Sequence, residues 1–181
     1  MDPLTIIKKY YNPKSQLYKT LVKHSKAVTK KALEVAENVK HLNPDIQFIK
    51  EAAMLHDIGV FLTDDPDIDC HGEAKYICHG ILGRKVLEKE ELSKHGLVCE
   101  RHIGVGITTE DIDNQNLPLP KREMIPLTLE EEIICYADLF FSKTGRNLDI
   151  EKTPDEVRKT LEKFGKEKIK KFNQWLKKFN H

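Results

Sequence analysis

From Leu17 to Val39 the apolar residues fall at three- and four-residue steps, through Leu21, Val28, Ala32, Val35 and Ala36. That spacing lays them along one side of a helix, and most of the chain repeats it. Stretches from about Ile46 to Asp57, Ile77 to Glu90, Leu92 to Ile103 and Leu129 to Phe141 read as helices, and no run shows the alternation of a strand. The expected fold class is therefore all-α, a compact multi-helix bundle.

Punctuation agrees. Asp2-Pro3 and Asn12-Pro13 read as helix starts, with a break near Lys23 left open. Thr128-Leu129-Glu130-Glu131 and Thr153-Pro154-Asp155-Glu156 have the spacing of capping boxes, and Thr108 is placed to cap a short helix. Gly104-Val105-Gly106 and Gly145 read as stops. Ile58-Gly59 closes the helix before it, with Gly59 expected in a left-handed turn. Residues 62–76 read as a polar loop and 116–127, with three prolines, as an extended connector. A domain of residues 1–150, with its core at about 20–145, is expected to carry a helical extension, 151–181, packed on it through Phe164, Ile169, Phe172, Leu176 and Phe179.

Composition narrows the function classes. Lys and Arg number 30 against 29 Asp and Glu, so no basic excess points to nucleic acid as a partner. No segment approaches the roughly 20 apolar residues of a membrane span. Four cysteines without a CxxC pair, and no apolar leader, suit reduced thiols in a cytoplasmic protein. Cys78, beside His79, reads as a small buried apolar residue rather than a nucleophile.

Against this background the doublet His56-Asp57 is out of place. It closes the apolar run Ala52-Ala53-Met54-Leu55, where an imidazole and a carboxylate are costly to bury without partners. His24, His79 and His102 also fall near the inner faces of helices, and Asp138 follows the apolar stretch Ile133-Ile134-Cys135-Tyr136-Ala137. Singly, each histidine reads as an ordinary hydrogen-bonded core residue; an unpaired buried aspartate is less comfortable. Jointly, they are the side chains from which helical bundles build metal sites. Imidazole and carboxylate without thiolate suit a divalent ion such as Fe, Mn, Zn, Co or Mg. Six ligand groups exceed what one tetrahedral ion requires, which favours two ions sharing a carboxylate and leaves one or two open. His41, His95 and His181 lack such a context and are expected to face solvent.

The ordered set His24, His56-Asp57 and Asp138 resembles the pattern of the HD-domain superfamily of metal-dependent phosphohydrolases, with His56-Asp57-Ile58-Gly59 as a common spelling of the doublet. His79, in His79-Gly80-Ile81-Leu82-Gly83, and His102, in Glu100-Arg101-His102-Ile103-Gly104, stand where two-metal branches add histidines; His71 competes with His79 for that place. Glu100 to Thr108 and Ile125 to Glu131 look like an uncharacterised HDIG-type subgroup. The resemblance implies that His24, His56 and Asp138 hold one ion, His79 and His102 the other, and Asp57 both. It makes Asp57, His79 and His102 the catalytic residues and the reaction hydrolysis by metal-activated hydroxide. The implied substrate is a small phosphorylated metabolite, nucleotides included. By their positions, Arg146 and Lys143 after Asp138 and Arg101 before His102 are candidate phosphate-binding cations, Arg146 first; each alone also reads as an ordinary surface cation. Two alternatives stay open: a metal-bound sensor or interaction module without turnover, and di-iron oxygenase chemistry.

Overall fold

The computed structural model describes residues 1–144 and 148–179, and the chain is built of helices around a small sheet. Helix α1, Pro3–Tyr10, starts as its sequence dictates, the Asp2 side chain accepting a bond from the Leu4 N–H. Asn12-Pro13 does not start a helix. It forms a turn in which the Ser15 hydroxyl donates to the Asn12 carbonyl, and Ser15 then caps α2, Gln16–Asn38. This helix runs unbroken through Lys23, because Lys23 lies on its solvent face while Leu21, His24, Val28 and Ala32 carry the buried one.

Helix α3, Ile46–Leu55, is capped by Asp45 and is followed directly by the doublet. Gly59 takes no left-handed turn. The chain goes on in a 3-10 turn, Ile58–Leu62, and Gly59 is there because the next helix passes so close: a Cβ on it would stand 2.2 Å from the His79 carbonyl oxygen and 2.3 Å from the Gly83 nitrogen.

The segment read as a loop holds three strands, β1 (Thr63–Asp65), β2 (Cys70–His71) and β3 (Ala74–Lys75). Their order is β2-β1-β3, with Asp64 opposite both His71 and Lys75; β1 pairs antiparallel with β2 and parallel with β3. Strands of two or three residues are too short to show alternation, so sequence periodicity could not find them.

Helices α4 (His79–Lys89) and α5 (Ser93–Arg101) pack on each other, and α4 packs on the 58–62 turn. Gly104 and Gly106, at φ +62° and +96°, end that unit, as their spacing predicts. Thr108 and Asp111 form a capping box on the short helix α6, Thr109–Asn114. The 116–127 connector is fastened by paired backbone bonds between Ile107 and Met124.

Helix α7, Leu129–Asp138, opens on the expected capping box and packs against α2, α3 and α5. It ends at Asp138, earlier than expected; Gly145 lies outside the described residues. Two amphipathic helices, α8 (Pro154–Leu161) and α9 (Lys166–Phe179), finish the described chain. Phe172, Trp175 and Phe179 of α9 are buried with Val28, Ala32, Ile133 and Tyr136 in the main core. Phe164, expected on that apolar side, is half exposed, and Trp175 takes the buried role instead. All four cysteines are buried and unpaired. Among the described residues no helix is long and apolar enough to cross a membrane.

Candidate metal centre

Apart from His24, which sits within α2, the expected ligands all lie at helix ends. His56 and Asp57 follow α3, His79 opens α4, His102 follows α5, and Asp138 is the last residue of α7. Backbone carbonyls three residues earlier orient three of the imidazoles, those of Ala53 and Cys99 in the last turns of α3 and α5 and that of Tyr76 in the turn before α4. His56 Nδ1 is 2.6 Å from the Ala53 oxygen, His79 Nδ1 2.7 Å from Tyr76 O and His102 Nδ1 2.8 Å from Cys99 O. In each case the partner is three residues earlier. This contact holds Nδ1 and leaves Nε2 as the atom turned to the common centre.

Asp57, with 0% exposure, lies at that centre and divides its two oxygens. Oδ2 is 3.2 Å from His24 Nε2 and 3.1 Å from His56 Nε2. Oδ1 is 3.4 Å from His79 Nε2 and 3.3 Å from His102 Nε2. Asp138 Oδ1 completes the first group, 3.0 Å from His24 Nε2 and 3.4 Å from His56 Nε2. The structure therefore brings together all six residues that the sequence singled out as ligands.

The short distances are not aligned hydrogen bonds. Both His24 nitrogens, His56 Nε2, Asp57 Oδ1 and Asp138 Oδ1 are buried without a properly directed partner, while Asp57 Oδ2 faces the Lys143 ammonium. Each such group costs about 1–3 kcal/mol when left unsatisfied. Two groups of side chains, His24–His56–Asp138 and His56–Asp57–His102, have donor atoms close enough to share an ion. The donor set is imidazole and carboxylate, which suits a divalent metal. The nearby thiols are spoken for: Cys99 donates to Leu55 O and Cys135 to His102 O, and burial drives both thiol pKa values up. The residues present fit a divalent cation.

Charge in the centre is balanced locally. Burial disfavours ionised Asp57, but His56 and Lys143 hold its pKa well below the usual carboxylate range. Burial likewise opposes a charged His56, yet Asp57 and Asp138 carry it up to about 10. His79 shows the opposite outcome: burial lowers it to about 3 despite Asp57, so it is neutral and ready to ligate.

Of the expected phosphate-binding cations, Lys143 reaches the centre, its Nζ 2.9 Å from Asp57 Oδ2. Arg101 does not: its guanidinium is held 2.8 Å from buried Glu131, a partner 30 residues away that sequence reading did not connect to it. Arg146 lies outside the described residues, as does His181. His71 is exposed beside Asp69, away from the cluster. His41 is exposed as expected, whereas His95 is buried against Glu51, 3.3 Å away. Its burial follows from α5 packing on α3. Cys78 donates weakly to Pro118 O, and burial raises its pKa, consistent with an inert thiol.

Sequence reading missed Tyr76. Its ring lies 4.7 Å from that of His79, and burial pushes its hydroxyl pKa up to about 12. Its position one helical turn before His79 was the available signal.

A family model described as the HD domain matches residues 21–141, a span that contains all six clustered residues. An uncharacterised protein of Methanocaldococcus jannaschii is 34% identical over 149 residues, covering 81% of this chain and 78% of that protein. Two proteins named tRNA (cytidine(56)-2'-O)-methyltransferase are also similar. The one from Thermoplasma volcanium is 31% identical over 86% of this chain, and the one from Picrophilus torridus 32% over 65%. The matches span only 41% and 30% of those two proteins. No solved structure matches.

Proposed function

The chain belongs to the HD-domain family, and from that premise we propose that it is a metal-dependent phosphohydrolase acting on a small phosphorylated metabolite or nucleotide. The observation that carries this reading is the division of Asp57, with one oxygen turned to His24 and His56 and the other to His79 and His102. A carboxylate so placed would let two divalent ions be held by this set, and such ions would supply the charge stabilisation that displacement at phosphorus needs. His24, His56 and Asp138 would hold one ion, His79 and His102 the other, and Asp57 both. Divalent cations held there lower the pKa of water and neutralise charge developing on phosphoryl oxygens.

The chain's own groups do the rest. The carbonyls of Ala53, Tyr76 and Cys99 fix three imidazoles, so little reorganisation is needed when ligands bind. Lys143 brings an ammonium to the edge of the cluster, where it supplies a point charge to a phosphoryl group. The Tyr76 ring walls the His79 side.

A second reading, a metal-bound module without turnover, draws on the match to less than half of two larger proteins named for a different reaction. Elemental analysis of purified protein, followed by a phosphoester and nucleotide screen with Mn, Fe, Co and Mg, separates the two. The hydrolase reading expects bound divalent metal and orthophosphate release that a chelator abolishes. Protein loaded with metal that releases phosphate from no substrate supports the module instead.

A further inference from the structure

We propose that Tyr76 is a positioning residue for His79, set in place by the small sheet, and that its ring governs how tightly the second ion is held. This rests on the two-ion reading of the cluster and names what fixes the second ion's side.

The two halves of the cluster stand on different cores. His24, His56 and Asp138 lie in or directly after α2, α3 and α7, which pack on one another around Val28, Ala52 and Ile133 of the main core. His79 instead follows a 3-10 turn, Tyr76–Cys78, that leads straight out of β3. Strand β3 is fastened to β1, with Thr63 opposite Ala74 and Asp64 opposite Lys75, so the sheet sets where the next residue, Tyr76, begins. The Tyr76 side chain packs on a separate small core of Val60, Ile68 and Cys70. Buried polar contacts stitch that core together. The Cys70 thiol is 2.8 Å from the carbonyl oxygens of both Val60 and Thr63, and the Thr63 hydroxyl donates to the Val60 oxygen at 2.8 Å.

Tyr76 meets His79 twice. Its carbonyl oxygen is 2.7 Å from Nδ1, and its ring centroid is 4.7 Å from that of the imidazole, the planes inclined at 35°. The first contact alone leaves the imidazole free to tilt about Nδ1. A ring lying against it removes that freedom. Nε2 is thereby kept 3.4 Å from Asp57 Oδ1 and 3.1 Å from His102 Nε2. Among the described residues the other ring against His79 is that of His102, itself an expected ligand, so Tyr76 gives support that is not also committed to a cation. The Tyr76 ring also lies 5.9 Å from the Lys143 ammonium, which puts it at the border of the cluster and not only in the small core. Groups that orient a metal-bound imidazole from behind change cation affinity by about ten- to a hundredfold. With the carbonyl contact kept, loss of the ring belongs at the lower end.

The test is a calorimetric titration of chelator-stripped protein with Mn²⁺ alone, with Tm of the metal-free protein measured beside it. Wild type is expected to take up two equivalents. Tyr76→Leu keeps the carbonyl and an apolar side chain against Val60 and Ile68, and should bind the second equivalent roughly tenfold more weakly and the first within about twofold. Tyr76→Phe keeps the ring and should match wild type for both within about twofold. Tyr76→Met repeats the measurement if Tyr76→Leu does not fold. Ile68→Ala hollows the same core but keeps the ring, so its Tm should fall while the second equivalent is lost less than in Tyr76→Leu. Wild-type affinity for the second equivalent in Tyr76→Leu, equal losses in Tyr76→Leu and Ile68→Ala, or a loss in Tyr76→Phe as large as in Tyr76→Leu overturns the proposal. His79→Ala separates it from the reading beneath: if wild type binds two ions, His79→Ala one and Tyr76→Leu two with wild-type affinity, only the role of Tyr76 fails. A single equivalent in wild type sinks the two-ion reading and the role of Tyr76 together.

Discussion

Gly59→Ala separates two accounts of why a glycine follows the doublet. A left-handed turn would accept asparagine nearly as well as glycine. Close packing accepts neither alanine nor asparagine. In the structure an added Cβ would meet the His79 carbonyl oxygen at 2.2 Å, Gly83 N at 2.3 Å and Gly83 Cα at 2.7 Å. Ordinary contact begins at 3.4 Å, and every atom met is backbone, so no side chain can rotate away. Helix α4 must move by about 1 Å. Overpacking costs about 1–3 kcal/mol, and a clash with backbone on all sides belongs at the top of that range. At about 3 kcal/mol, and about 2–4 °C per kcal/mol for a chain of this length, Tm falls by about 6–12 °C. Because α4 opens with His79, the same movement displaces a proposed ligand and weakens cation binding. Gly104→Ala is the control: φ is +62° with nothing within 4 Å, so the cost is backbone strain alone, about 1 kcal/mol. Melting of metal-free protein followed by circular dichroism, with cation titration by calorimetry, reads both effects. If Gly59→Asn melts within about 2 °C of wild type and binds cation normally, the packing argument is wrong.

Asp57→Asn removes the carboxylate both histidine pairs face, so it should abolish phosphate release and lower cation affinity by about a hundredfold or more while the helical spectrum is kept; unaltered metal content would contradict the shared-ligand geometry. His79→Ala should reduce the metal-to-protein ratio of a fully loaded protein, measured by elemental analysis, and an unchanged ratio counts against two ions. Lys143→Met should strengthen cation binding, because the ammonium 2.9 Å from Asp57 Oδ2 competes with the ion, yet lower kcat/KM by roughly tenfold or more through the lost phosphate contact; parallel losses in both would refute the competition. Glu100 is buried, which alone would raise its pKa, but Arg84 and Arg122 lower it. A depressed folded pKa gives stability that is present above the ordinary glutamate value of about 4.3 and is lost as pH falls through the folded value. Both arginines are substantially exposed, so about 1–2 kcal/mol is at stake, and Glu100→Gln should flatten the acid limb of a Tm–pH curve below about pH 4.5.

Much of the fold was legible because helix formation is local. The caps at Asp2, Thr108, Thr128 and Thr153 involve partners within three residues, and each sits where its sequence places it. The misreadings share the opposite cause. Asn12-Pro13 carries a local start signal, yet Ser15 three residues later captures the cap of α2. Arg101 looked like a free cation because Glu131 is distant in sequence. His95 looked solvent-facing because nothing near it announces that Glu51 and Phe48 will cover it.

The candidate site divides along the same line. The types of donor atom, and the rule that His56, His79 and His102 each have a carbonyl three residues earlier to hold Nδ1, belong to the linear chain, since both depend on neighbours along one helical turn. Which oxygen of Asp57 turns to which histidine pair, that Lys143 reaches it, and that Gly59 must lack a side chain were decided by how α2, α3, α4, α5 and α7 pack. Those relations join atoms many residues apart, and packing fixes them only once the helices share one core.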